Sequence, residues 1–155
     1  MPVLGIPVVG MLWSLAAVLI NSGQVSDLGL GWVSAVLLVL PGGMVQTAAV
    51  WVGFGAILWA MIRGFGGRLP LLGVLRLMSE AAWPLWIAAP AVAFWVSGPP
   101  QLVAVAAVGA IAGLLGFYIS MAKAVMNEAQ WSMLRALCVV SFAAVFISSF
   151  LYLNV

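Results

Sequence analysis

Charged residues are scarce in this chain and confined to a few short stretches, which constrains its fold more than any other feature. Among 155 residues there are five Lys or Arg and three Asp or Glu, together 5%, while 66% are hydrophobic. A soluble domain has roughly 25% charged residues. Long apolar runs with charges only between them are typical of helices that cross a bilayer. We therefore predict an all-α, polytopic transmembrane helical bundle that forms a single domain over residues 1–155.

The apolar runs predict about five spans, because a helix needs about 20 apolar residues to cross the hydrocarbon. The run from Trp32 to Ile62 is too long for one upright helix, and Pro41-Gly42-Gly43 interrupts it. We expect a short or kinked first part followed by a full span, and the alternative is one strongly tilted, kinked helix. The predicted spans are 3–20, 44–62 with the short segment 32–40 before it, 80–96, 101–121 and 132–153.

The basic residues predict the orientation. In a five-span chain, the connectors after the second and fourth spans lie on the same side of the membrane, and every Lys and Arg lies in or beside them. Cytoplasmic loops are enriched in Lys and Arg, so we expect a cytoplasmic N-terminus and a C-terminus outside. The residues predicted to contact lipid headgroups at the cytoplasmic face are Arg63, Arg68, Arg76, Lys123 and Arg135.

The connector after the second span has a pattern of its own. Glycines after Arg63 are expected to end the helix, and residues 69–78 read as a short amphipathic segment at headgroup level. The use of Arg over Lys, with abundant Ala, Val and Gly, points to a bacterial source and hence to the cytoplasmic (inner) membrane.

Small residues recur at helical spacing and predict helix–helix contacts. Small side chains let two backbones approach closely, and lipid offers no hydrophobic gain for association. We expect packing within the chain, with packing against another subunit as the alternative. The predicted packing residues are Gly53 on the second span and Gly109, Gly113, Gly116 and Ser120 on the fourth.

Two pairs of opposite charges have helical spacing. Arg76 and Glu80 are four residues apart, and Glu128 and Arg135 are seven apart, so each pair is predicted to be a structural ion pair near the membrane surface. None of the charged residues falls at the middle of a predicted span. Because proton-coupled or charge-driven transport usually needs an ionisable residue there, this argues against a pump or a secondary transporter.

The chain offers little for catalysis or cofactor binding. It has no His, which removes the commonest general base and metal ligand. Its lone Cys138 lies in an apolar run, where a thiol is usually inert. A net charge of +2 is too small to imply nucleic acid. We expect no enzymatic activity, no cofactor and no metal site.

The central connector contains Gly66-Gly67-Arg68 and Leu75-Arg76-Leu77, followed by Pro84, and further along the chain come Asn127-Glu128 and Arg135-Ala136. With these motifs the chain resembles the Yip family of membrane proteins over about residues 45–153. The resemblance implies about five spans and a cytoplasmic N-terminus. Eukaryotic Yip proteins are associated with Rab-type GTPases and early secretory traffic, whereas bacterial members mostly lack an assigned activity.

Three functions follow as expectations. The first is a non-catalytic, Yip-like accessory or scaffold subunit of a membrane complex, or a protein of membrane organisation, whose partners are the bilayer and other membrane subunits or a second copy. The second is a small channel or permease for a neutral solute, with Pro41-Gly42-Gly43 lining the path. The third, a membrane partner of a GTPase, is implied by the family resemblance alone.

Overall fold

The computed structural model describes residues 5–29 and 31–153, with side chains described up to residue 149. Within these ranges the chain forms helices joined by short turns and contains no strand, so the all-α prediction is confirmed. The predicted start of the first span, at residue 3, lies outside the described part. The helices are α1 Gly5–Ile20, α2 Ser22–Asp27, α3 Trp32–Gly64, α4 Leu71–Ala81, α5 Leu85–Ser97, α6 Pro100–Ala129 and α7 Met133–Leu153.

Two of these helices, α3 and α6, are long and apolar enough to cross a membrane, judged over the described residues. The count rises to three if α4 and α5 together form one bent span. The apolar helices Gly5–Ile20 and Met133–Ser149 are shorter. The number of spans is thus two or three by length and composition, below the five that the sequence predicts.

Helix α3 runs for 33 residues without interruption, so the helix is not broken at Pro41–Gly43. The segments predicted at 32–40 and 44–62 belong to one helix, as in the alternative, whose kink and tilt stay predictions. Pro41 has no amide hydrogen and forgoes one backbone hydrogen bond. Ending the helix there would free several more backbone groups among apolar side chains, so the helix continues through the proline.

The interruption lies instead at Pro84. The predicted third span begins at Glu80, but α4 ends at Ala81 and α5 begins at Leu85, and the two helices are bent by 71°. Pro84 cannot donate a backbone hydrogen bond, and its ring clashes with the carbonyl four residues earlier. Its own carbonyl accepts hydrogen bonds from Ile87 and Ala88, which starts α5 in the new direction.

Helix α6 continues past its predicted end at Met121 and includes most of the polar stretch 123–130 that was expected to be a connector. The stretch contains no Gly or Pro, and polarity alone does not end a helix. The helix ends at Gln130, whose φ of 55° places it in the left-handed region. The amide of Trp131 then donates to the carbonyl of Met126, which caps the helix.

The most deeply buried side chains lie where α3, α4, α6 and α7 meet. Helix α1 packs between α3 and α5, and α5 packs along α6. The core therefore sits toward the end of the bundle that contains the last turns of α3 and the first turns of α7. Its largest fully buried residues are Leu58, Ile62, Val74, Met78, Met121, Val125, Val139 and Val140.

Candidate functional site

The predicted basic residues lie at this end of the bundle. Arg63 is in the last turn of α3, Arg68 in the connector, Arg76 on α4, Lys123 late in α6 and Arg135 in the first turn of α7. All five side chains are exposed. The basic end, as we call this set of five residues, gives one extremity of the bundle a positive surface.

Arg135 joins the two helices that meet at the basic end. Its guanidinium donates a hydrogen bond to the carbonyl of Phe65, just after α3, and lies over the ring of Trp131 with 4.3 Å to the ring centroid. An Arg is suited to both roles, since its planar head can donate in its plane and stack on an aromatic face. The end of α3 and the start of α7 are therefore held on the same side of the molecule.

The connector after α3 folds back onto its own helix. Gly66 has a φ of 83°, a conformation that glycine adopts without steric cost. The amide of Gly67 donates to the carbonyl of Ile62, and the indole N–H of Trp59 donates to the carbonyl of Leu69 at 3.1 Å. These bonds fix the position of Arg68 relative to α3.

Of the two predicted ion pairs, the first is present in the structure and the second is not formed among the described residues. Arg76 Nε and Glu80 Oε1 are 3.0 Å apart, with both side chains largely exposed, so the pair contributes at most about 1 kcal/mol. Glu128 and Arg135 form no ion pair in the described part of the chain. The left-handed residue Gln130 turns the backbone between them, so the seven-residue spacing no longer corresponds to one helix face, and Arg135 contacts Phe65 instead.

Three of the predicted packing glycines lie in the α5–α6 contact. A Cβ added to Gly113 would lie 2.7 Å from the Cβ of Ala88 and 2.8 Å from the carbonyl oxygen of Pro84. At Gly116 and Gly109 the nearest atoms would be 3.2 and 3.4 Å away, on α5 or the turn before it. These glycines therefore permit the close approach of α5, and Ser120 lies half-buried one turn beyond Gly116.

Gly53 lies outside any such contact. A Cβ added there would meet nothing within 4 Å, so the expectation that Gly53 packs within the chain is wrong. Ala49, Ala56 and Ala60, which share its side of α3, are exposed as well. We call these four residues the small-residue face of α3.

A second close approach joins α1 and α3. A Cβ on Gly10 would lie 2.8 Å from both the carbonyl oxygen of Gly43 and the hydroxyl of Thr47, and a Cβ on Gly43 would overlap the hydroxyl of Ser14. Beside this contact the two helices leave a cavity of about 420 Å³, which we call the α1–α3 cavity. Its lining residues are Val9, Trp13, Gly43, Gln46, Thr47, Val50 and Trp51.

Two buried polar groups at the α1–α3 contact have no hydrogen-bond partner among the described residues. They are Ser14 Oγ and Trp51 Nε1. Their side chains are 2% and 7% exposed. Buried polar groups are normally hydrogen-bonded. A third unpartnered group, Ser79 Oγ, lies on α4, so the α1–α3 contact is distinguished by having two of them beside a cavity. Gln46 and Thr47 are recognisable in the sequence as polar residues within an apolar run. Nothing in the sequence predicts that they lie near Trp13 of α1.

A larger cavity, about 510 Å³, lies between α5 and α6. It is bordered by apolar residues such as Pro90 and Phe94. The indole N–H of the neighbouring Trp86 already donates to the carbonyl of Gly5. This cavity therefore offers an apolar surface without a free polar group.

The described residues contain no cluster of His, Cys, Asp or Glu that could hold a metal ion. The hydroxyls of Tyr118 and Ser141 are 2.6 Å apart between α6 and α7, and Tyr118 also donates to the carbonyl of Leu137. A serine nucleophile needs an adjacent base, and Ser141 has a tyrosine hydroxyl at that position. This pair therefore serves as an interhelical hydrogen bond.

Comparisons of the chain with known protein families, with curated proteins and with solved structures find no match. The resemblance to the Yip family accordingly stays a prediction. Function has to be inferred from the basic end, the small-residue face of α3 and the α1–α3 cavity.

Proposed function

We propose that this chain is a non-catalytic, Yip-like integral membrane protein that acts as an accessory or scaffold subunit of a membrane complex, or in membrane organisation, through its outer helix faces. One observation carries the proposal. In an 18-residue apolar stretch of α3, only 6% of the residues are fully buried by the rest of the chain. An apolar helix so little covered by its own chain needs lipid or other helices around it.

The small-residue face of α3 supports a helix as one of these neighbours. Lipid tails are as apolar as leucine, so helices associate in bilayers through close packing and hydrogen bonds. Gly53 and the three exposed alanines leave the backbone of α3 open to close approach from outside. The helix that packs against this face, in our proposal, belongs to another subunit or to a second copy of the chain.

The proposed topology has five membrane-inserted segments, with the basic end at the cytoplasmic surface of the bacterial inner membrane. Two observations support it. The basic residues share one end of the bundle, as cytoplasmic residues should. Helix α4 buries Val74 and Met78 against the core while Arg76 and Glu80 are exposed, an arrangement that suits a helix lying at headgroup level.

The permease alternative has less support. It assigns the solute path to a helix broken at Pro41–Gly43, because unwound segments free backbone groups for binding. Helix α3 is continuous there, and a Cβ on Gly42 would meet nothing within 4 Å. A partnership with a GTPase still rests on the family resemblance alone.

Extraction in mild detergent followed by native mass measurement tests the proposal. We expect the 16.2 kDa chain within a larger assembly or with retained lipid, and a lone monomer with neither would contradict the proposal. Ala56→Leu, on the small-residue face, is expected to reduce the assembled fraction. Ala112→Leu makes the same change at an exposed position of α6 and serves as the matched control. Equal loss of assembly in both variants would contradict the role of α3.

A further inference from the structure

We propose that the α1–α3 cavity binds a lipophilic molecule through a neutral oxygen group, either a carbonyl or a hydroxyl. The inference rests on the proposed membrane placement, since such a molecule would enter from the bilayer. It does not depend on the role as an accessory subunit.

The indole of Trp51 supplies the first argument. Its N–H is a donor only, and it finds no acceptor among residues 5–29 and 31–153. The ring packs against Phe54 and Phe117, with ring centroids 6.3 and 5.5 Å away. Trp51 is therefore a fixed part of the cavity wall, and its buried N–H has no acceptor within the described part of the protein.

The surroundings of the cavity offer further neutral hydrogen-bonding groups. Thr47 and Gln46 line the cavity together with Trp51. The buried hydroxyl of Ser14 lies against Gly43, another lining residue. Hydroxyls and amides can both donate and accept. No residue of the lining is charged, so the chemistry selects an uncharged polar group.

The position of the cavity along the helices places it far from the basic end. Gln46 lies 17 residues from Arg63, which places it about 25 Å along α3 from the basic end. In the proposed placement this depth is within the hydrocarbon, where no water is available for exposed polar groups. A carbonyl or hydroxyl carried on an apolar body would satisfy them.

The volume of the cavity and its apolar lining residues indicate the size and character of the rest of the ligand. Val9, Val50 and Trp13 provide apolar surface. The volume of about 420 Å³ is typical of small-molecule sites, which range over about 300–1,000 Å³. It accommodates the polar group and the adjoining carbons, and a longer chain would extend along the outside of α3.

Photo-crosslinking of the full chain in phosphatidylcholine vesicles tests the inference. Three diazirine-bearing probes are compared: a long-chain alcohol, a long-chain fatty-acid methyl ester and an alkane without oxygen. We expect at least one oxygen-bearing probe to label Val9, Trp13 or Val50, as mapped by mass spectrometry. The alcohol carries a hydroxyl and no carbonyl, and the methyl ester carries a carbonyl and no hydroxyl, so the two arms distinguish the two sources of the oxygen. Equal labelling by the alkane would overturn the inference.

Two variants each remove one polar group. Thr47→Val nearly keeps the shape of the side chain, whereas Trp51→Phe also replaces the indole by a smaller ring. Thr47→Val and Trp51→Phe are each expected to lower labelling at Val50 by about fivefold, the effect of one hydrogen bond. Trp95→Phe, at an exposed position outside the cavity, is the matched control and should leave labelling unchanged. Because Trp51 is also a packing residue, Thr47→Val decides the outcome if Trp51→Phe does not fold. Unchanged labelling in Thr47→Val would overturn the inference.

The same sample separates this inference from the proposed function. Labelling is read residue by residue, whereas assembly is read from the native mass. A labelled cavity in a chain that forms no assembly would support the ligand site and contradict the accessory role. An assembled chain without cavity labelling would overturn the ligand site only.

Discussion

At the scale of single residues, glycines with similar sequence surroundings have opposite roles. Gly113 and Gly53 both lie in apolar helices and both belong to small-residue repeats. One faces α5 at close range and the other faces outward. The repeat therefore predicts where a helix can be approached, and the rest of the fold decides whether its own chain makes the approach.

Alanine at these two positions should change stability in opposite directions. Gly113→Ala places a methyl group 2.7 Å from Ala88 and 2.8 Å from a carbonyl oxygen, so we expect a loss of about 1–3 kcal/mol from overpacking. Gly53→Ala meets nothing and should stabilise the chain by about 0.5–1 kcal/mol through helix propensity. Thermal unfolding in detergent, followed by circular dichroism, measures both. A lower Tm for Gly53→Ala than for Gly113→Ala would contradict the assigned packing.

Arg135 is the basic residue whose contacts extend beyond its own helix. Arg135→Gln removes a charged hydrogen bond to Phe65 and a cation–π contact with Trp131, so we expect a loss of about 1.5–3 kcal/mol. Arg68→Gln removes the same charge from an exposed position in the connector and is the matched control. Unfolding by heat in one detergent compares the two, and equal Tm values would show that Arg135 contributes only its charge.

At the scale of the helices, α6 is about 45 Å long, which exceeds the hydrocarbon thickness of about 30 Å. Its last turns are polar and should extend beyond the lipid. In a Cys138→Ser background and in inside-out membrane vesicles, Asn127→Cys is expected to react with a water-soluble maleimide at least about tenfold faster than Ala112→Cys. Equal rates would mean that α6 does not cross the bilayer as proposed.

Composition predicts the helical class, the apolar runs and the basic end, because each depends on residue type and order alone. Helix ends are predicted less well. Pro41 and Pro84 both lie in apolar runs, yet only Pro84 interrupts the helix. The difference lies in tertiary packing, since Pro84 is buried against Gly116 whereas Pro41 is exposed. A proline pattern does not contain that information.

The α1–α3 cavity is the part of the candidate site that the sequence does not predict. Gln46 and Thr47 stand out as polar residues in an apolar run, and Trp51 as a deeply placed tryptophan. Their approach to Trp13 depends on the glycine contact between α1 and α3. That contact joins segments more than thirty residues apart, which local periodicity does not record.

At the scale of the whole molecule, the basic end predicts a common compartment for residues that are distant in sequence. Arg68→Cys and Lys123→Cys, each in a Cys138→Ser background, should be labelled by an impermeant maleimide from the same side of the membrane. Ser97→Cys, at the far end of α5, should be labelled from the opposite side. Labelling of the first two positions from different sides would contradict the topology and the interpretation of the basic end.

The helices differ in length across the molecule, and the surrounding bilayer has to respond. Helix α5, with 13 residues, is about 20 Å long, and the described α1, with 16, is about 24 Å, beside the much longer α3 and α6. In the proposed five-segment placement, lipids beside the short pair would have to compress or tilt to cover it. The membrane would therefore be thinner beside α1 and α5 than beside α3 and α6.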